Sequence, residues 1–246
     1  MHFIAQHVTL LDSENERLHT PMTKALIVLS GGQDSTTCLY WAIKKWGKDN
    51  IVALSFNYGQ RHKIELECAT KIANDADIPH RIMPINTFES FADNALTNTD
   101  IDVSNTLDSD TQLPNTFVPG RNLIFLTFAA AYAYTLNIKH IVTGVAQTDY
   151  SGYPDCRENT LDALEKAINL GMESDMQLHT PLMFMSKADT VQLAKEVDAL
   201  DALAYSHTCY NGEQPPCGEC ASCQLRAKGF AEANTPDPLI ERFKNP

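Results

Sequence analysis

Leu29-Ser30-Gly31-Gly32-Gln33-Asp34-Ser35-Thr36-Thr37-Cys38-Leu39 is the stretch whose reading decides the fold. It follows the apolar run Ala25-Leu26-Ile27-Val28 and leads into Tyr40-Trp41-Ala42-Ile43, which can continue a helix. The pattern reads as a strand, a tight glycine turn and a helix N-terminus. Lacking a Cβ, Gly31 and Gly32 let the backbone approach a ligand closely. Ser30, Ser35, Thr36 and Thr37 add hydroxyl donors, and the unpaired N–H groups of the first helical turn converge on the same point. Such a loop suits phosphate oxygens. A glycine turn with no ligand is the plainer alternative, and the polar density of the loop argues against it.

The common ATPase loop, G-x-x-x-x-G-K-[ST], sends a lysine toward the outer phosphates. No lysine lies between Lys24 and Lys44 here. Asp34 stands where a cation is expected, so its charge calls for a magnesium ion or a fixed lysine from elsewhere in the chain. Residues Ser30 to Ser35 resemble the SGGxDS pyrophosphate loop of the N-type ATP pyrophosphatases. That resemblance implies an enzyme that splits ATP into AMP and pyrophosphate to activate a carbonyl oxygen. It also implies that residues 29–39 bind the nucleotide, with Asp34 in a catalytic role.

At 246 residues the chain fits one ordinary domain, or one with a small appendage. Hydrophobic content of 43% and charged content of 20% fit a globular protein. The formal net charge of −12 lacks the basic footprint of a nucleic-acid binder, so no nucleic-acid partner is expected. No apolar run approaches membrane-spanning length. Residues 1–23 have no basic start or long apolar segment and carry Asp12, Glu14 and Glu16, which does not describe a secretory signal. A cytoplasmic protein is expected. Residues 1–23 read as an N-terminal extension because the periodic pattern begins at Lys24, with residues 1–21 either a dispensable arm or a mis-assigned start.

From Lys24 the chain alternates strand and helix. Ile51 to Phe56 is a second strand, Arg61 to Ala76 a helix with Ile64, Cys68 and Ile72 on one face, and His80 to Ile85 a third strand. This order predicts an α/β fold with a doubly wound, mostly parallel sheet, whose ligands lie beyond the carboxyl ends of the strands. Residues 86–118 are polar and acidic with little periodicity, and read as either a mobile segment near the site or a disordered surface excursion. A helix from about Leu123 to Leu136 is apolar all round and is expected to be buried in the core. Arg121, just before it, is a cation at the unfavourable end of a helix dipole, which points to anion binding.

Ile138 to Gly144 is a further strand. The loop after it carries Asp149, Tyr150, Tyr153, Asp155, Cys156 and Arg157. A tyrosine there can stack on a planar base and an aspartate can accept from its N–H groups. The plainer reading makes Gly-Tyr-Pro a turn and Asp155 a cap on the next helix. Cys156 reads as an inert thiol. Ser186-Lys187-Ala188-Asp189 is a capping box opening a helix, and Lys187 again places a cation at a helix start.

Cys209, Cys217, Cys220 and Cys223 form C-x7-C-x2-C-x2-C. Two-residue gaps let thiolates converge on one ion, and four sulfurs match the closed shell of structural zinc. Disulfides are disfavoured by the absence of a secretion signal and an odd total of seven cysteines. An iron–sulfur cluster is the lesser alternative. Cys38 and Cys68 look like core. The chain thus divides into 1–23, a nucleotide domain at 24–204 and a zinc-binding region at 205–246.

Taken together, residues 30–39, Asn57-Tyr58-Gly59-Gln60-Arg61, 117–122, 143–157, 180–182 and 209–226 resemble the 7-cyano-7-deazaguanine synthase family of the queuosine pathway. Two departures stand out. Residues 1–23 have no counterpart in the family pattern, and Asn57 stands where aspartate is common. The resemblance implies an ATP-dependent ligase that joins 7-carboxy-7-deazaguanine and ammonia through an acyl adenylate and then an amide, ending in a nitrile. It implies ATP with Mg2+ as co-substrate, one structural Zn2+, and a homodimer. It also implies that Arg121 pairs with the substrate carboxylate, that Lys187 reaches the ATP phosphates, and that Asp149, Tyr150, Tyr153 and Asp155 read the base. The rivals are a zinc-bearing pyrophosphatase that thiolates a tRNA base, and a non-enzymatic nucleotide-sensing zinc protein.

Overall fold

The computed structural model describes residues 24–244 apart from 61–62, 89–94, 97–100, 102, 104–106, 108, 112 and 148–152. The proposed N-terminal extension and the candidates Asp149 and Tyr150 lie outside the described residues.

Five strands form one sheet: β1 (Ala25–Val28), β2 (Ile51–Asn57), β3 (His80–Pro84), β4 (His140–Val142) and β5 (Gln177–His179), in the order β3-β2-β1-β4-β5. Every pairing is parallel, with Ala25 opposite Ile51 on one side and His140 on the other. The apolar runs are continuous because both faces are covered. Alternate residues serve different layers: Leu26, Leu54 and Phe56 pack in one core cluster, and Ala25, Ile27 and Ala53 in the other. From β1 the chain winds outward to β3, then crosses to β4 and β5. The carboxyl ends of β1 and β4 therefore form the point at which strand order reverses, where open α/β sheets bind their ligands.

Helices α1 (Gln33–Trp46), α2 (Ile64–Asp75), α3 (Arg121–Thr135), α4 (Glu158–Met172) and α5 (Lys187–Glu196) join or flank these strands, followed by α6 (Leu200–Leu203), α7 (Ala221–Glu232) and α8 (Pro238–Lys244). No helix among the described residues is long and apolar enough to cross a membrane. The capping box at the start of α5 is present, with Asp189 N donating to Ser186 Oγ and Ser186 N to Asp189 Oδ2.

Three expectations change. Helix α3 is not buried all round: Leu126, Ala129, Ala130 and Ala133 face the core, whereas Phe128 is 44% and Tyr134 56% exposed. Its uniform apolar composition hides an ordinary one-sided helix. In α2 the buried face is Leu66, Ala69, Ile72 and Ala73 rather than the Ile64–Cys68–Ile72 line, which brings Glu65 inward with Ala69 one turn on. The described parts of 86–118 are anchored rather than a surface excursion, with Phe88, Ala95, Leu96 and Val118 all buried.

Candidate active site

The glycine turn closes between β1 and α1 by its own hydroxyls. Ser30 N donates to Ser35 Oγ (3.1 Å), and Ser35 Oγ donates to Gly32 O (3.2 Å). Gly31 has φ +85°, and a Cβ there would lie 2.2 Å from the backbone oxygen of Glu65. A Cβ on Gly144, beyond β4, would lie 2.8 Å from Ser35 N. The two glycines thus let α2 and β4 close on the loop. Gly32 precedes α1 with no side-chain cap, so the first-turn amides carry the positive end of the dipole into the cavity.

Ser30, Gly32, Gln33, Asp34 and Ser35 line this cavity. Thr36 and Thr37 do not: both are fully buried and donate to Gly32 O (2.7 Å) and Gln33 O (3.0 Å). Leu29, Cys38 and Leu39 are core residues. Burial, with Asp34 adding, pushes the Cys38 thiol well above its ordinary range. Asp34 is met by Lys187, whose Nζ lies 2.5 Å from Oδ2 across 153 residues of sequence. The fixed lysine that Asp34 calls for is therefore Lys187. Among the described residues, Asp34 Oδ1, Gln33 Nε2 and Thr208 Oγ1 are buried without a hydrogen-bond partner. An acceptor oxygen and two donor-capable groups around uncapped amides fit a cation-bound polyphosphate.

The opposite wall is built around Arg121, the first residue of α3. Its guanidinium lies 5.9 Å from the Tyr58 ring centre. Burial opposes its charge, but Tyr58, Tyr153, Tyr210 and Asp155 outweigh that and raise its pKa. Tyr153 is buried, its hydroxyl shares a hydrogen bond with Thr116 Oγ1 (2.7 Å), and its ring stacks on Phe117. Asp155 does not line the cavity and does not cap the helix that follows it. Its Oδ2 accepts from Asn122 N (2.9 Å), so it caps α3 and supports Arg121 from behind. Cys156 lines the cavity and accepts from Asn122 Nδ2 at Sγ (3.3 Å).

Two groups on the wall carry no motif. Glu65, in the first turn of α2, is one of them. Burial raises its pKa to about 7, against an opposing pull from Arg121. The only sequence signal for it is a carboxylate on the face of α2 that also carries Ala69 and Ile72. The other is the segment His207 to Tyr210: His207 N donates to Gly31 O (2.8 Å), and His207, Thr208 and Tyr210 line the cavity.

That segment runs straight into the cysteine cluster. The sulfurs of Cys209, Cys217, Cys220 and Cys223 lie within 4.8 Å of one another, a group that can hold a metal ion. Glu219 N and Cys220 N both donate to Cys217 Sγ (3.4 Å), as backbone amides do around a thiolate ligand. Helix α7 rises from the cluster and is tied down by Arg226. This buried side chain bonds Asp237 through Nε (2.7 Å) and Nη2 (2.8 Å), Ser206 Oγ through Nη1 (2.8 Å), and Leu203 O through Nη2 (3.1 Å).

The glycine loop, the arginine–tyrosine wall and the segment leading into the cysteine cluster, with Cys209 at its edge, thus meet in one cavity at the switch point of the sheet. The model of queuosine biosynthesis protein QueC matches residues 24–234, from the start of β1 to the end of α7. The chain belongs to the QueC family. A 7-cyano-7-deazaguanine synthase of Chromobacterium violaceum is 66% identical over 219 residues, spanning 89% of this chain and 94% of that protein. The synthase of Bacillus subtilis is 46% identical over 211 residues, 85% of this chain and 94% of that one. Among solved structures, NMN synthetase from Francisella tularensis aligns over 90% of this chain and 82% of that one, at 17% identity and a TM-score of 0.49. Like the relatives carrying the synthase name, this QueC family member is an enzyme of queuosine biosynthesis.

Proposed function

We propose that the enzyme uses ATP to convert 7-carboxy-7-deazaguanine and ammonia to 7-cyano-7-deazaguanine, by way of an acyl adenylate and an amide. The observation that carries this reading is the single cavity that holds both the pyrophosphate-type loop and the Arg121 wall. An anion-binding loop faces a second cation ringed by Tyr58, Tyr153 and Tyr210. One site takes the polyphosphate, the other a planar carboxylate.

In this scheme the substrate carboxylate pairs with Arg121 while its planar ring lies against the tyrosines, Tyr153 and Tyr58 nearest. Tyr150 and Asp149, next in sequence, would complete base recognition, and Asp155 would act through Arg121. The carboxylate oxygen attacks the α-phosphate, and the leaving pyrophosphate is held by the uncapped α1 amides, Gln33 and Ser30. Mg2+, held through Asp34 Oδ1, would supply additional positive charge there. Lys187 fixes the Asp34 carboxylate so that this oxygen stays in place. Ammonia then displaces AMP to leave the amide, and a second ATP activates the amide oxygen for loss as the nitrile.

The four cysteines suit Zn2+ in a closed structural shell. Residues 205–246 are proposed as the zinc-binding region appended to the nucleotide domain at 24–204. We place the enzyme in the cytoplasm as a homodimer; the exposed Phe128 and Tyr134 of α3 and Leu170 of α4 offer the apolar surface.

Mass spectrometry of products from the metal-loaded protein with 7-carboxy-7-deazaguanine, ammonium, magnesium and ATP tests the proposal. Nitrile is expected, and none from Asp34→Ala. AMP release without nitrile would refute the substrate, and no turnover from folded protein would refute the activity.

A further inference from the structure

Every ligation of this kind must strip protons from its nitrogen donor, because at neutral pH ammonia exists almost entirely as ammonium. Resting on the ligase reading above, we propose that Glu65 is the catalytic residue that receives the ammonium ion and takes its proton as nitrogen attacks the activated carbonyl carbon.

Elimination and position lead to the same side chain. Two carboxylates line the cavity among the described residues, Asp34 and Glu65. Asp34 is committed to Lys187 at 2.5 Å. Among the described residues, Glu65 makes no such contact with a lysine, and Arg121 is the cation that acts on it. Its backbone oxygen abuts Gly31 so closely that a Cβ there would sit 2.2 Å away. The backbone of Glu65 is thereby fixed beside the glycine loop, and Glu65 lines the same cavity as Ser30, Gly32 and Asp34. Tyr58 and Tyr210 share its electrostatic neighbourhood, and aromatic rings favour a small cation. The site thus offers a carboxylate and π faces for ammonium and a separate arginine for the substrate anion.

Among the described residues, the titratable groups that act electrostatically on or with Glu65 are Arg121 on α3, Tyr58 beyond β2, Tyr210 in the cysteine segment and Cys68 on its own helix. Burial among them holds its pKa at about 7, where a base can both exist as carboxylate and accept a proton. The step balances simply. Ammonium gives one proton to the Glu65 carboxylate, and the nitrogen lone pair forms the C–N bond. The C–O bond to AMP breaks with its electron pair leaving on the phosphate, and the second proton from nitrogen leaves to solvent.

Glu65→Gln separates this role from substrate or nucleotide binding. Carboxylate-dependent exchange of pyrophosphate into ATP, run without ammonium, reports adenylation alone and should stay within about threefold of the parent enzyme. The kcat/KM for ammonium should fall by about 100-fold or more, the usual worth of a general base. Hydroxylamine, neutral near pH 7, should still trap the adenylate as hydroxamate at close to the parent rate. In the parent, amide formation should rise along a limb near pH 7 that the variant lacks. Equal losses with both nucleophiles, or lost exchange, would make Glu65 a binding residue and overturn the proposal. If Glu65→Gln fails to fold by circular dichroism, Glu65→Asp serves: exchange kept with ammonium kcat/KM lowered about tenfold supports the role, and unchanged ammonium kinetics overturn it. No exchange in the parent enzyme itself would instead bring down the ligase reading.

Discussion

Two glycine-to-alanine changes in helices should move stability in opposite directions. A Cβ added to Gly229 in α7 would lie 2.6 Å from Lys187 Cβ and 3.1 Å from the Lys187 carbonyl carbon and oxygen. Those atoms cannot swing away as a side-chain tip would, so α7 must separate from the start of α5. Forced overpacking of this kind costs about 1–3 kcal/mol. The helix interior gains back about 1 kcal/mol from replacing glycine. Because the clash is with backbone and Cβ, the cost belongs at the upper end, leaving Gly229→Ala less stable by about 1–2 kcal/mol. For a chain of this length that lowers Tm by about 2–8 °C. A Cβ on Gly171 in α4 meets nothing within 4 Å, so Gly171→Ala keeps only the gain, raising Tm by about 1–4 °C. Differential scanning calorimetry of both variants reads the difference. Gly229→Ala should also lower kcat, since Lys187 Nζ then leaves Asp34. Equal Tm shifts for the two variants, or a Gly229→Ala enzyme with parental stability and rate, would refute the packing argument.

Asp237→Ala strands the buried Arg226 guanidinium and should cost about 3–5 kcal/mol, checked by urea unfolding; a loss below about 1 kcal/mol would contradict the buried pair. Burial, with Lys45 and His140 adding, lowers His179 to about pH 4 from an ordinary 6.5. The unfolded chain then binds the extra proton first, so this contribution is complete above pH 6.5 and is lost as pH falls toward 4. Partial exposure trims it to on the order of 1–2 kcal/mol. His179→Phe should flatten that acid limb in stability-versus-pH curves followed by fluorescence of Trp46, whose ring lies against His179 and stacks on His140. Removing the metal proposed for the four cysteines with a chelator should release the segment from His207 to Tyr210, so that ATP no longer protects the glycine loop from proteolysis. Full protection in metal-free protein would show the cluster and the loop to be independent.

The sheet was legible because its evidence is local. Runs such as Ala25–Val28 and Ile51–Phe56 state their strands, and the glycine turn after β1 marks the ligand end. The cysteines were legible for the same reason, since the two-residue gaps among Cys217, Cys220 and Cys223 themselves bring sulfurs together and only seven residues separate Cys209 from them. β5 was not, because Gln-Leu-His offers no apolar run and becomes a strand only by pairing with β4. What joins distant parts of the chain also escaped. Composition places Lys187 and Asp34 on helix starts, but only the packing of α5 against α1 makes them a pair. Arg226 looks like any exposed arginine beside a metal site until Asp237 closes on it. Asp155 caps a helix that begins more than thirty residues earlier, which no local capping rule can find. Glu65 was missed because the buried face of α2 was set one residue away from where its apolar residues suggest.

The central claim is that the substrate's own carboxylate oxygen attacks ATP. It is tested most directly by supplying 7-carboxy-7-deazaguanine with both carboxylate oxygens labelled with oxygen-18 and analysing AMP by mass spectrometry. The account predicts one labelled oxygen in the phosphate of each AMP, first from the carboxylate and then from the amide. Unlabelled AMP, with the label in water or in pyrophosphate, would contradict it.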